Sequence, residues 1–458
     1  MKALFIDFGS TYTKVALLSL APAGLIGLSQ APTTVESDLM EGLEVALDSF
    51  SAAQLEGIAF RRACSSAAGG LGIVAVGLVP ELTVKAAREA ALGAGARVLA
   101  AYSYTLSSSE IAEIGSLKAD LILLAGGTDG GNRQVILENA AAIAAAELEL
   151  PVVVAGNKSA ADEAAAILEG KVPRVVVAGN VMPGVNRLQV EPAREAIRGL
   201  YLSEITKAKG LDRIQQQVGL VMPTPLAVMK AGELYRRATG SDTIIVDMGG
   251  ATTDIHSFAD GRPCSGGRIV KGPPEPLIKR TVEGDLGMRV SLPALLEVIP
   301  PEELAATLPF AVEASELLAY ARRAALSRSL LPGDGRERAF DGAIAAAAIR
   351  EALRRHAGSL TETYTPQGRL WVQQGKDLTA AATVIATGGI LVHSEDPGAL
   401  LRAGLLQEDP LILTPRSPQL FLDRSYILAS AGLLAETRPE AAQAILEETL
   451  QPWGGMAG

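Results

Sequence analysis

Residues Thr243 to His256, TIIVDMGGATTDIH, join a β-branched run to a glycine turn flanked by polar side chains. Thr243, Ile244, Ile245 and Val246 have the composition of a buried strand, and Asp247 follows where that strand should end. Gly249 and Gly250 permit a tight return. Thr252, Thr253 and Asp254 lie just beyond, and Ile255 opens a second strand with His256, Ser257 and Phe258. Backbone N–H groups in such a turn can line a phosphate, and a carboxylate at the strand end can hold a hydrated divalent ion. Taken alone, the stretch fits an ordinary glycine-containing β-turn equally well.

A second stretch, Ala3 to Leu20, repeats the pattern as ALFIDFGSTYTKVALLSL. Ala3, Leu4, Phe5 and Ile6 form a strand ending in Asp7. Gly9, Ser10, Thr11, Tyr12 and Thr13 make the turn, Lys14 follows, and Val15 to Leu18 return as a strand. Two Asp-ended hairpins so far apart in the chain indicate two related half-molecules rather than a short-period solenoid.

The chain has 458 residues, enough for two to three domains, and 48% of them are apolar against 4% aromatic. Small aliphatic residues, above all Ala, must therefore do most of the packing. A formal net charge of −10 argues against a broad grip on nucleic acid or an anionic membrane. Cys64 and Cys264 are the two cysteines, expected to be reduced thiols. Gly, Pro or charge interrupts the apolar stretches before the roughly 18 residues of a membrane span. The N-terminus opens on a strand rather than a signal-like segment, so a cytoplasmic location is expected.

Between Leu71 and Arg187 strands alternate with Ala-rich helices, which predicts an inserted Rossmann-like α/β module with a parallel sheet covered on both faces. Gly70-x-Gly72-x-x-Ala75 leads into an apolar run instead of a helix, and is discarded as a dinucleotide fingerprint. Ala125 to Asn132, AGGTDGGN, follows a strand and precedes a helix. It is either a ligand or partner loop or a glycine-rich connection with Asp129 near a helix N-terminus. Further on, Val218 to Tyr235 holds a Pro-Thr-Pro turn and a helix, and Thr281 to Arg289, TVEGDLGMR, reads as an exposed loop whose Glu283 and Asp285 could face a ligand. Helices are expected over Ala311 to Leu330 and Phe340 to His356, split by a flexible Pro332-Gly333-Asp334-Gly335. A strand over Ala380 to Ala386 runs into Thr387, Gly388 and Gly389, and helices cover Ser425 to Ala435 and Pro439 to Leu450. Residues after Trp453 are expected to fray.

No G-x-x-x-x-G-K-[ST] loop and no G-x-S-x-G elbow occurs, and His256, His356 and His393 are too scattered to suggest a metal site. The two hairpins and the late TGG together resemble the phosphate-1, phosphate-2 and adenosine motifs of the actin, Hsp70 and sugar kinase superfamily. The resemblance implies two RNase H-like domains around a nucleotide cleft. It places Asp7 and Asp247 at Mg²⁺ through water, Lys14 at phosphate, and Gly9, Ser10, Thr11, Thr13, Gly249, Gly250, Thr252 and Thr253 around the phosphates. Gly388 and Gly389 would approach the adenosine. Leu226 to Gly232 and Ala429 to Leu434 resemble the connecting helices of that superfamily. The implied boundaries are 1–70 for the first part of the N-terminal domain, 71–187 for the module, 188–242 for the return and hinge helix, 243–424 for the C-terminal domain, and 425–458 for the second hinge helix and tail.

A closer resemblance rests on SSAAGGLGIVAVGL, LLAGGTDGGN, VDMGGATTDIHS, TVEGDLGMR and DRSYILASAGLLA, which are similar to the MutL-type accessory protein of glutamate mutase. That implies an ATP-dependent, chaperone-like reactivating factor for an adenosylcobalamin-dependent aminomutase, with slow ATP hydrolysis and with adenosylcobalamin met only through the partner mutase. A small-molecule kinase or an actin-like assembling scaffold are the alternatives within the superfamily. Two departures stand out. Met222 falls where the superfamily often has an acidic or amide residue to orient water, and a thioether cannot do this. Ala251 replaces the third glycine of the Hsp70 version.

Overall fold

In the computed structural model the described residues are all but 35–36, 68–70, 206–210, 265–266, 327–329, 367, 408 and 454–458. The expectation of fraying after Trp453 and Gly70 of the discarded fingerprint lie outside them. Packing divides the chain into Met1–Val228 with Gly272–Pro276, and Met229–Lys271 with Leu277–Gly458. The division falls inside a helix, Thr224–Thr239.

In the first unit β1 (Lys2–Phe8), β2 (Tyr12–Leu20) and β3 (Ala23–Pro32) form an antiparallel meander, and β4 (Ile58–Ser65) lies parallel to β1. Strand alternation turns Leu4, Ile6 and Phe8 to one face, where they join Val15 and Leu17 against Leu39, Leu43 and Ala46 of the helix Leu39–Leu47. Asp7 therefore points to the opposite face.

Next comes the inserted module. Its strands β5 (Gly72–Gly77), β6 (Arg97–Ser103), β7 (Leu121–Leu124), β8 (Val152–Val154) and β9 (Val175–Val177) are all parallel, in the order β6-β5-β7-β8-β9. That is the doubly wound 2-1-3-4-5 order, which makes the Rossmann-like expectation more specific. Apolar cores cover both faces. One packs Ala86, Ala87, Ala90 and Ala91 of helix Lys85–Gly93, and the other packs Ile136, Ala140 and Ile143 of helix Gln134–Ala145. Alanine on the helices lets them approach the sheet closely, which is how so few aromatics suffice. Val190, Ala193, Ile197 and Leu200, around helix Glu191–Leu200, join the first of these cores, so packing carries the module past 187. The chain then returns through β10 (Leu220–Pro223), parallel to β4, to complete the sheet β10-β4-β1-β2-β3.

The second unit repeats that plan. Strands β11 (Thr243–Met248) and β12 (Thr253–Phe258) form the hairpin; after β13 (Arg268–Lys271), β14 (Ile278–Glu283) pairs antiparallel with β12. After β15 (Ser359–Thr365) and β16 (Gly368–Gln374), β17 (Thr383–Thr387) pairs parallel with β11, and β18 (Gln419–Leu422) parallel with β17. The short β19 (Gln451–Trp453) closes the edge of β14-β12-β11-β17-β18-β19. Order and direction over the first five strands match the sheet of the first unit strand for strand, so both units are RNase H-like α/β folds.

Three expectations change here. Gly335 is already helical, because Asp334 caps the helix Gly335–His356 by accepting from the Glu337 N–H at 2.8 Å; Pro332 to Gly335 does not separate it from a later start. Instead of an exposed loop, TVEGDLGMR begins inside β14, with Glu283 buried. A small sheet, β13-β16-β15, has no counterpart among the expected elements, because its largely exposed strands carry no apolar alternation strong enough to announce them. Among the described residues no helix is long and apolar enough to cross a membrane.

Candidate functional site

Each unit carries one hairpin site, built where strands of its sheet end. In the first, Asp7 is the penultimate residue of β1, opposite Lys14 on β2, and is 9% exposed. The turn closes through the Gly9 N–H to Tyr12 carbonyl bond at 3.1 Å. A side chain at Gly9 would put its Cβ 2.7 Å from that carbonyl oxygen, so this tight turn excludes one. Ser10 and Thr11 are exposed at the tip. Thr13 is buried, and its hydroxyl shares a 3.2 Å hydrogen bond with Thr33, so its side chain braces β2 rather than facing a phosphate.

Two partners of Asp7 were not singled out from sequence as site residues. The Thr224 hydroxyl donates to Asp7 Oδ1 at 2.6 Å, and the Cys64 thiol approaches the same oxygen at 3.5 Å. Cys64 and Thr224 lie at the carboxyl ends of β4 and β10, the two strands parallel to β1, so three neighbouring strand ends converge. Ligands of open α/β sheets gather at such ends. Burial, and then the Asp7 charge, push the Cys64 thiol well above its usual range, so it remains a neutral donor. Met222 is fully buried in β10, paired with Cys64, and so belongs to the sheet interior rather than to a water-orienting turn. Thr224, two residues on, holds the position the turn was expected to occupy.

In the second site Asp247 is again the penultimate residue of its strand, half-buried, opposite Asp254 on β12 and Thr387 on β17. Alternation sends Ile244, Val246 and Met248 into the core and Asp247 to the other face, the same arrangement as at Asp7. The Gly249 N–H donates to the Thr252 carbonyl at 2.9 Å. The turn is then held from outside, since the Met288 N–H donates to Gly249 O and the Arg289 N–H to Gly250 O. Arg289 is itself fixed by a 2.8 Å ion pair with buried Asp341, whose other oxygen accepts from the Tyr320 hydroxyl. Thr253 is buried and donates to the Leu286 carbonyl at 2.6 Å, so it too braces the hairpin.

Gly388 sits beside this turn with φ of 106°, and a Cβ there would lie 2.1 Å from the Met248 carbonyl oxygen. Only glycine permits that approach. Gly389, exposed, begins the short helix Gly389–Val392. Asp423 accepts from the Ile427 and Leu428 N–H groups and thereby caps the helix Ile427–Ala435.

Elsewhere the proposed ligand contacts resolve into structure. Glu283 and Asp285 both accept from Arg355, at 2.8 Å each, which leaves them serving the fold. Arg355 depresses the Asp285 carboxyl, whereas burial keeps that of Glu283 raised despite the same partner. In the module loop, Asn157 accepts from the Gly130 N–H and donates to the Gly131 and Asn132 carbonyls, while Asn180 donates to Gly127 O and Asp129. Asp129 also accepts from the Lys158 N–H, so it serves the helix Lys158–Leu168 and not the one that follows its own loop. The histidines stay apart in role. His256 is fully buried with no hydrogen-bond partner, His356 bonds Ser257 and Thr281, and His393 meets the Tyr426 hydroxyl at 3.4 Å. Among the described residues no three His, Cys, Asp or Glu side chains form a metal site.

A family model described as MutL protein matches residues 3–450. Protein MutL of Clostridium tetanomorphum is 44% identical over 458 residues, covering 98% of either chain. Among solved structures, acetone carboxylase in its nucleotide-free form aligns with TM-score 0.42 at 12% identity, over 95% of this chain and 70% of the other. The nucleotide-free diol dehydratase-reactivating factor aligns with TM-score 0.36 at 13% identity, over 95% and 99%. On the match across residues 3–450 and the full-length 44% identity, the chain belongs to the MutL protein family.

Proposed function

We propose that this protein is an ATP-dependent reactivating factor for an adenosylcobalamin-dependent aminomutase of the glutamate mutase type, acting as a chaperone that lets damaged cobalamin be exchanged. The observation that carries the nucleotide half of this reading is the repeated hairpin, with a carboxylate at the penultimate position of β1 and again of β11, on sheets whose order and direction match over five strands. Membership of the MutL family and the resemblance of its motifs support the mutase half.

In this reading each unit contributes a hairpin to holding MgATP. With no ready-made three-ligand metal cage among the described residues, Asp7 and Asp247 would hold Mg²⁺ through its water, the rest of its shell coming from water and phosphate oxygens. Bound there, the ion would supply charge neutralisation. Lys14 would contribute a point charge at phosphate, and the N–H groups of Ser10, Thr11 and Gly250 to Thr252 would donate to phosphate oxygens. Gly388 and Gly389, which follow β17, would approach the nucleoside. Phosphoryl chemistry of this kind depends on positioning and electrostatics rather than a covalent catalyst. Coupling requires the mutase to bind the nucleotide states with unequal affinity, and the inserted module is assigned the mutase-facing surface.

The test uses a cognate mutase inactivated with damaged cofactor, to which the protein, ATP, Mg²⁺ and fresh coenzyme are added. Recovery of mutase activity that needs all four is expected. No recovery, from protein shown by calorimetry to bind ATP, would remove the mutase half of the reading, and an absence of ATP binding would remove the nucleotide half.

A further inference from the structure

We propose that Thr224 is a positioning residue for Asp7: its hydroxyl fixes which carboxylate oxygen faces a hydrated cation and ties the start of the helix Thr224–Thr239 to what that carboxylate holds. The inference rests on the nucleotide reading above. Thr224 Oγ1 donates to Asp7 Oδ1 at 2.6 Å, and Cys64 Sγ approaches the same oxygen at 3.5 Å. Both bonds end on Oδ1, so together they hold the carboxylate plane and neither engages Oδ2. A carboxylate that must accept from the water shell of a cation gains from being fixed beforehand, because no rotamer freedom is then lost on binding.

The three groups cannot drift independently. Asp7, Cys64 and Thr224 sit at the ends of adjacent parallel strands β1, β4 and β10, with Asp7 in register with Cys64 and Met222 in register with Cys64. The thiol is fully buried against that oxygen. Thr224 is also the first residue of a 16-residue helix in which Val228 belongs to the first unit and Met229 to the second. A cation that draws on Asp7 competes with the Thr224 hydroxyl for carboxylate charge. The strength of the Thr224 bond then depends on occupancy, and the first helical turn is the segment that registers it.

The experiment compares full-length wild type, Thr224→Val and Thr224→Ser. ATP affinity is measured by calorimetry with Mg²⁺ and with EDTA, and amide hydrogen exchange is followed over residues 224–228 with and without MgATP. Valine keeps the shape and deletes the hydroxyl. For Thr224→Val the expected result is a loss of about tenfold in MgATP affinity, the scale of one hydrogen bond to a charged group, with metal-free ATP affinity unchanged. The loosening of the first helical turn that MgATP is expected to bring in wild type should disappear, and Thr224→Ser should restore both. A merely structural threonine would lower thermal stability in the valine variant while leaving the Mg²⁺ to EDTA affinity ratio at the wild-type value, and that outcome overturns the inference. Should the valine variant fail to fold, Cys64→Ala against Cys64→Ser probes the second tie to Oδ1, with the same ratio deciding. Wild-type protein that binds no ATP would instead overturn the nucleotide reading itself, a result separate from any change in the variants.

Discussion

At the scale of single residues, the two hairpin carboxylates are equivalent in position but not in surroundings. Asp7 is held by Thr224 and Cys64, whereas Asp247 is half-buried opposite Asp254, which is taken up by Arg280 at 2.6 Å. Asp247→Ala should leave the circular dichroism spectrum and melting temperature near wild type while abolishing ATP-dependent mutase recovery; full recovery would take Asp247 out of the site. Gly388→Ala tests the close approach to Met248. With φ of 106° and a Cβ 2.1 Å from a carbonyl oxygen, the variant should lose at least about 1–3 kcal/mol in urea unfolding. Gly388 and Asp247 were legible because glycine turns and strand-end carboxylates are local signals. Thr224 was legible only as part of a Pro-Thr-Pro turn, since its partner lies at the other end of the first unit's sequence.

At the scale of elements, the helix Gly335–His356 and strand β12 enclose a set of buried cations and imidazoles that sequence could not assemble. His356 Nε2 meets Ser257 Oγ at 2.8 Å, Lys376 Nζ donates to the same hydroxyl, and Lys279 donates to the His356 carbonyl. Burial, then Lys279 and Lys376, hold His356 well below the usual imidazole range. Burial, then Arg280, lower His256 to about 3, with Asp254 opposing. Both are therefore neutral when folded, and the unfolded chain takes up more protons below pH ~6.5. Their contribution is complete above that pH and is lost progressively as pH falls below it, at up to about 1.4 kcal/mol per pH unit for each histidine, the His256 part continuing down to about 3. Chemical denaturation between pH 7 and 4.5 should show this slope, and His256→Leu should reduce it. A second element-scale prediction concerns Arg355, which joins the helix to Glu283 at the end of β14 and to Asp285 just beyond it. Arg355→Ala should cost about 2 kcal/mol, less than a fully buried pair because the guanidinium is partly exposed, and Arg355→Lys should recover only part of it.

At the scale of the whole molecule, the module interrupts a sheet that does not need it. β4 and β10 are direct neighbours, with Ser65 in register with Pro223, although the entire module lies between them in sequence. Replacing residues 71–202 by a short linker should therefore leave ATP affinity within a few-fold of wild type and abolish mutase recovery; retained recovery would move the mutase-facing surface off the module. The sequence by itself determined the two hairpins, the α/β alternation of the module and the motif set of the family. Each of these is written in contiguous residues through strand period, glycine turns and alanine-rich helices. The tertiary structure alone decided that β10 lies beside β4 and brings Thr224 to Asp7, and that the acids of TVEGDLGMR belong to Arg355. It likewise decided that Thr13 and Thr253 turn their hydroxyls inward and that β13, β15 and β16 form a sheet of their own. The reason is that such pairings are chosen by register and burial between segments far apart in the chain, which no local pattern encodes.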